Sequence, residues 1–277
     1  MKKFILCAIA ISLIVLAAGA ISCRYATTSK MKVVASTSLI SYIVEQVGGK
    51  YVDVIDLVPP NQHPGNFDAA PAEIQTLATA KLFITHGWPG EDFDQLISSA
   101  NNPNLTVVKA NVDGNWMIPE VQSAAADRVA DILGEADRTN AEAYIKAAND
   151  YKTRINTVES EVKEKLQNAH ASKVNVIASV RQADFLQWAG FNVVGTFQDA
   201  QSLTPKVVQD LIDRGKANNV LLVVNNIQDG QDAGKAIAAE LGVANINLSN
   251  FPGGLQNTET WEKAIQKNVQ LLTEALP

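Results

Sequence analysis

The sequence predicts an α/β protein of two lobes, each with a parallel sheet and flanking helices, bridged by one long α-helix. Three observations carry this. Through residues 32–109, short apolar runs rich in Val, Ile and Leu alternate with stretches of helical period, the pattern of parallel strands joined by crossover helices. The same alternation resumes at residue 174 and continues to the C-terminus. Between the two, residues 140–168 contain neither Pro nor Gly and carry Tyr144, Ala147, Tyr151, Ile155, Val158, Val162 and Leu166 at steps of three and four. At about 1.5 Å per residue such a helix spans on the order of 40 Å, more than the width of one small domain. The division that follows is a leader over 1–22, a tether over 23–31, an N-terminal lobe over 32–137, a connecting helix over 138–169 and a C-terminal lobe over 170–277.

The leader reads from its charge and apolar content. Lys2 and Lys3 precede an apolar run over 4–21, and Ala20 and Ser22 put small residues before Cys23. This is a secretory signal with a small-residue cleavage site, and a cysteine at that place reads as a lipidation site. An uncleaved signal anchor is the alternative, since the run reaches the roughly 18–20 residues a span needs. Both readings place the remaining chain outside the cytoplasm, tied to the outer face of the cell membrane. Cys7 lies inside the leader, so the exported domain has no cysteine pair for a disulfide or a thiolate zinc site. The net charge of −6 leaves no basic excess for phosphates, which excludes a nucleic-acid partner.

The elements follow in order. Strands are expected at 32–36, 52–58, 82–85 and 106–109, and helices at 39–47, stopped by Gly48-Gly49, at 71–80, opened by Pro71, and at 93–99. Asp137 to Asn140 supply N-cap chemistry for the long helix. In the second lobe, strands are expected at 174–178, 193–194, 220–224 and 246–248. Helices are expected at 183–189, 205–216 after Thr204-Pro205, 233–241 before Gly242, and 258–276. Ligands of open parallel sheets bind beyond the carboxyl ends of the strands. Those ends, with the loop that holds His63, are 36–38, 86–88, 115–117, 179–181, 225–228 and 249–251.

From residue 32 onward the chain resembles the metal-receptor solute-binding proteins of zinc- and manganese-type ABC importers. The landmarks are Val34-Ala35-Ser36, Val47-Gly48-Gly49, the segment 57–63, Pro71-Ala72-Glu73-Ile74, Leu82-Phe83-Ile84 and His86-Gly87. Residues 137–151, Gly190-Phe191-Asn192-Val193 and Asn268 complete them. The resemblance implies an extracytoplasmic receptor that binds a metal ion in the cleft between its lobes, with importer membrane subunits as partners. It also implies a ligand set of three His and one carboxylate from four loops. His63 matches the first position. Asn115 stands at the second, Ser179 or its neighbours Val180 and Arg181 at the third, and Ser249 at the fourth, so most of the family ligands are substituted.

The chain has three His in all. His63 and His86, which ends a buried strand, are the metal candidates, and His170 reads as a solvated loop residue. Asp68, Glu91, Glu120 or Asp184 would have to complete a zinc site, which normally takes four donors. Trp88 and Trp116 fall in loops and suit an aromatic ligand platform, Arg181 suits a clamp on a carboxylate or phosphate, and Trp188 reads as core. The reading is an altered-ligand receptor for a zinc- or manganese-class ion, with no cofactor beyond such an ion. Two alternatives stay open: the same cleft binding a metal chelate or organic ligand through aromatic and Arg residues, or a surface interaction module without transported cargo. No phosphate loop, zincin motif or nucleophile elbow is present, so no enzyme is expected.

Overall fold

A computed structural model describes residues 30–276. The leader, Cys23 and nearly all of the tether lie outside the described residues. The first lobe runs β1 (Met31–Thr37), α1 (Ser38–Gly48), β2 (Val52–Val58), α2 (Pro71–Ala78), β3 (Leu82–Thr85), α3 (Asp94–Ala100) and β4 (Thr106–Lys109). Two helices follow, α4 (Pro119–Ala136) and α5 (Ala141–Asn168). The second lobe runs β5 (Asn175–Ser179), α6 (Val180–Trp188), β6 (Asn192–Phe197), α7 (Pro205–Ala217), β7 (Leu222–Asn226), α8 (Lys235–Leu241), β8 (Ala244–Leu248) and α9 (Trp261–Glu274).

Both sheets are four-stranded and parallel, and they share one topology. The first is ordered β2-β1-β3-β4 and the second β6-β5-β7-β8. In each, the chain leaves the first strand in one direction and returns on its other side, which makes the gap between β1 and β3, and between β5 and β7, a topological switch point.

The bridge α5 has 28 residues and buries Tyr144, Ala148, Tyr151, Ile155, Val158, Val162 and Leu166. The buried stripe takes Ala148 where the sequence pattern suggested Ala147, which is half-buried. This stripe joins the two lobes in one core that also holds Val33, Leu39, Trp116, Val176, Val224 and Trp261. Smaller clusters pack the outer face of each sheet. One continuous core thus packs both lobes against the bridge.

Three expectations need correction. The 18-residue helix α4 was not anticipated. Its buried face mixes Ala125, Ala126 and Ala130 with Gln122, Val129, Ile132 and Leu133, and the small and polar members blur the hydrophobic period. Asn140 does not cap α5, because its amide donates to Asp137 Oδ2 at 2.6 Å, and Tyr144 OH donates to the same oxygen at 3.0 Å. The last helix begins at Trp261, where Thr260 Oγ1 accepts from Lys263 N, and not at residue 258.

Candidate functional site

A cavity of about 410 Å³ lies between the lobes. It opens at the carboxyl ends of the switch-point strands of both sheets, so one space is lined by loops from each lobe. From the first lobe come Leu39, His63, Trp88, Asn115 and Trp116. From the second come Val180, Arg181, Asp184, Asn226, Gln228, Asn250 and Phe251.

His63 precedes a single 3-10 turn, Pro64–Asn66, and its Nδ1 accepts a hydrogen bond from Gly65 N at 3.0 Å. A side chain at Gly65 would sit 3.0 Å from Gly90 O and 3.1 Å from that Nδ1, so glycine is what lets the backbone N–H approach the ring. Burial and then the Arg181 guanidinium hold the His63 imidazole below its ordinary pKa, with Asp229 opposing them.

His86 does not open on the cavity. It is fully buried, its Nε2 bonds Thr37 Oγ1 at 2.8 Å, and Trp88 stacks on it at 3.5 Å between centroids with 9° between planes. Its Nδ1 has no partner, and burial followed by the neighbouring His63 drives its pKa well down. Glu91 fastens this lid, accepting from Gly87 N at 2.7 Å, Trp88 N at 3.2 Å and Ser36 Oγ at 3.3 Å. Trp116 lies under the wall at 1% exposure, its indole N–H donating to Val112 O and its carbonyl accepting from Trp261 Nε1 of the other lobe at 2.9 Å.

The second wall is a network of amides. Asn250 Oδ1 accepts from Asn115 Nδ2 at 3.0 Å and from Gln182 Nε2 at 3.1 Å. Arg181 O accepts from the amides of both Asn115 and Asn250. Gln182 Nε2 also donates to Asn226 Oδ1, and Asn226 Nδ2 donates to Asp229 Oδ2. Asp229 accepts from Arg181 Nε at 2.9 Å. Gln228 Nε2 donates across the cleft to Pro60 O at 2.8 Å, and Ser38 Oγ crosses the other way to Pro252 O at 2.7 Å.

Of the sequence candidates, His63, Trp88, Asn115, Trp116 and Arg181 meet at the cavity, while His86, Ser179 and Ser249 do not line it. Ser179 Oγ turns to Arg181 N and Asp229. Ser249 Oγ is enclosed by Gln228 and Phe251, and a side chain at Gly254 would meet it. Glu120 sits on α4 facing Lys163 at 4.0 Å, away from the cleft. Among the described residues no group of three or more His, Cys, Asp or Glu is arranged to hold a metal ion. Gln182 and Asn250 were not singled out, although Asn250 lay within the strand-end segments. Both sit one to three residues past Ser179 and Ser249, the serines that the resemblance placed at the third and fourth ligand positions.

These features define a two-lobed α/β protein with one cavity between its lobes, the architecture of a solute receptor. A family model described as ZnuA, zinc-uptake complex component A, periplasmic, matches residues 33–275, and the chain belongs to this family. It is similar to the manganese ABC transporter substrate-binding lipoprotein PsaA of Streptococcus anginosus, 25% identical over 249 residues, covering 79% of this chain and 80% of the relative. It is also similar to the manganese-binding lipoprotein MntA of Halalkalibacterium halodurans, 20% identical over 199 residues and 66% of each chain. Among solved structures, a crystal structure of ZnuA superposes with a TM-score of 0.77 at 20% identity, covering 90% of this chain and all of that one. The solute-binding protein FpvC of P. aeruginosa, in complex with Ni2+, gives 0.76 at 20% identity, covering 90% and 97%. The chain is therefore a substrate-binding protein of the metal ABC-transporter type and not an enzyme.

Proposed function

We propose that this chain captures a zinc- or manganese-class metal outside the cytoplasm, in the interlobe cleft at His63, and delivers it to the membrane and ATPase subunits of an ABC importer. One observation carries the reading: the switch-point ends of two identically ordered sheets converge on a single cavity with an imidazole in its wall. The names of the relatives, which carry manganese and lipoprotein, support a metal cargo and a lipid tether, here Cys23. In this reading the ligand set is altered from three His and a carboxylate, since His63 shares the cavity with Asn115, Asn226, Gln228, Asn250, Arg181 and a single carboxylate, Asp184.

Elemental analysis and native mass spectrometry of the full chain, isolated from membranes of its own host, test this. One metal per protein is expected, lost from an Asn250→Leu variant that blocks the cavity. Metal-free protein together with unimpaired metal uptake in a deletion strain would contradict it. For the tether, Cys23→Ala is expected to abolish lipid labelling and release or mis-process the protein. Attachment that persists with the leader intact would mean a signal anchor.

A further inference from the structure

The cavity offers hydrogen-bond donors where a bare cation requires lone pairs. Gly65 N–H donates to His63 Nδ1, so that nitrogen supplies the lone pair and the proton of the neutral ring sits on Nε2. A histidine that ligates metal is wired in the opposite sense: its second nitrogen donates to a carbonyl or carboxylate and leaves the ligating nitrogen free. His63 Nε2 is thus an N–H donor.

Arg181 is the second donor. Its side chain is 45% exposed, its Nε is engaged by Asp229, and among the described residues neither Nη group has a protein partner. Three residues further along α6, Asp184 lines the same cavity, and it is the one carboxylate among the lining residues. Positions three apart share a helix face, so this turn presents a cation and a carboxylate side by side. The amides that line the cavity are engaged, the oxygens of Asn115, Asn226, Gln228 and Asn250 each accepting from Met117 N, Gln182, Asn250 N, and Asn115 with Gln182 respectively, while the buried Gln182 Oε1, which does not line the cavity, has no partner among the described residues. At about 410 Å³ the cavity is also far larger than a coordination shell with donors near 2.0–2.3 Å, and it falls within the range of small-molecule sites.

We infer that the cargo is an anionic chelate, a metal already wrapped by a small polycarboxylate, whose outward carboxylate takes the Arg181 Nη groups and the His63 Nε2–H. Asp184 faces the metal end of the complex, and Trp88, Leu39 and Val180 line its carbon skeleton. A single guanidinium and one neutral imidazole N–H match one carboxylate edge, whereas a phosphate group would meet too little positive charge beside Asp184. The inference rests on the cleft reading given above and specifies the chemical form in which the metal arrives.

Calorimetry on the ligand-free full chain separates the possibilities, with three probes: zinc chloride, citrate and zinc citrate. Zinc citrate is expected to bind one-to-one and at least about tenfold more tightly than either component. Arg181→Ala is expected to cost about ten- to hundredfold, and Arg181→Lys most of that, because lysine cannot present the planar fork. His63→Ala is expected to weaken binding, with partial recovery in His63→Gln, which keeps an N–H donor. Tight one-to-one binding of zinc chloride, abolished equally in His63→Ala and His63→Gln, would overturn the inference while leaving the cleft reading intact. Equal binding of citrate with and without zinc, or no binding of zinc citrate, would overturn it as well. Zinc citrate binding that is indifferent to both Arg181 and Asn250→Leu would place the cargo outside the cleft and sink both readings.

Discussion

The two walls of the cleft rest on sheets with the same strand order, yet they are finished in different chemistry. The first-lobe wall is a dry stack in which Trp88 covers His86 and Trp116 lies beneath at 4.5 Å from the His86 ring, anchored across the lobes by Trp261. The second-lobe wall is a set of amides closed by the Arg181–Asp229 pair. Rings packed at core density have no alternative partners, whereas amides and a half-exposed guanidinium can exchange theirs for a ligand's. The comparison teaches that one topology can carry two finishes: a packed aromatic floor with a single imidazole, His63, at its edge, and a wall of amides and a guanidinium whose partners can exchange.

Trp116→Ala should break the floor most severely. Removing a fully buried indole is expected to cost about 3–5 kcal/mol in urea or guanidinium unfolding. Arg181→Ala, in the other wall, is expected to cost about 1 kcal/mol or less because the pair is partly solvated. Similar losses in the two variants would erase the distinction between floor and amide wall.

Asn250→Ala is the next largest case. Its side chain accepts from Asn115 and Gln182 and donates to Arg181 O, so about 1–3 kcal/mol is expected. Hydrogen exchange should quicken in the segment around Asn115 and at the start of α6 while β1 and β3 stay protected. Exchange that quickened throughout the first-lobe sheet would mean that the amides hold up the floor as well.

These contrasts were only partly legible in the sequence. All eight strands were visible, because β-branched and apolar runs such as Leu222, Val223 and Val224 are bounded by turn residues. The bridging helix was visible because its stripe is long and contains bulky residues such as Tyr144, Tyr151 and Ile155. Helix α4 was hidden because Gln122 and three alanines interrupt the bulky apolar residues of its buried face. At the cavity, Arg181 could be chosen because strand ends point to the cleft, and His63 and Asn115 because the family resemblance aligned them with ligand positions. Counting alone could not tell that Ser179 and Ser249 would turn to their own loops while Gln182 and Asn250 reached across. Nor could it show His86 sealed under Trp88, since that depends on the Glu91 carboxylate pulling the loop back through two backbone N–H groups.

Glu91 provides a pH-dependent way to sharpen the comparison. Burial raises its pKa despite the hydrogen bonds it accepts from Gly87, Trp88, His86 and Ser36. A carboxyl with a raised folded pKa stabilises fully below the ordinary Glu value of about 4.3, and that contribution is lost as pH rises through the folded value. Wild type is therefore expected to lose more stability than Glu91→Gln between pH about 4 and 7, measured as the difference between their denaturation midpoints. A flat difference over that window would mean that the floor's lid carries no such strain.

The smallest effect is expected at His170, exposed beyond α5 with a φ of 53°. His170→Gly should stabilise by about 0.5–1 kcal/mol, because glycine accepts this conformation without cost, and should leave zinc citrate affinity unchanged. An affinity change would give this remote imidazole a part in the cleft that its position does not support.

The central claim is that the cleft presents an imidazole N–H, not an imidazole lone pair, to its cargo. Long-range proton–nitrogen NMR correlation on ring-labelled full chain, before and after one equivalent of zinc chloride, reads this directly. The expected spectrum shows His63 with a pyridine-type Nδ1 and a pyrrole-type Nε2, unchanged by zinc. A pyrrole-type Nδ1 whose Nε2 partner shifts on adding zinc would show His63 acting as a metal ligand and contradict the account.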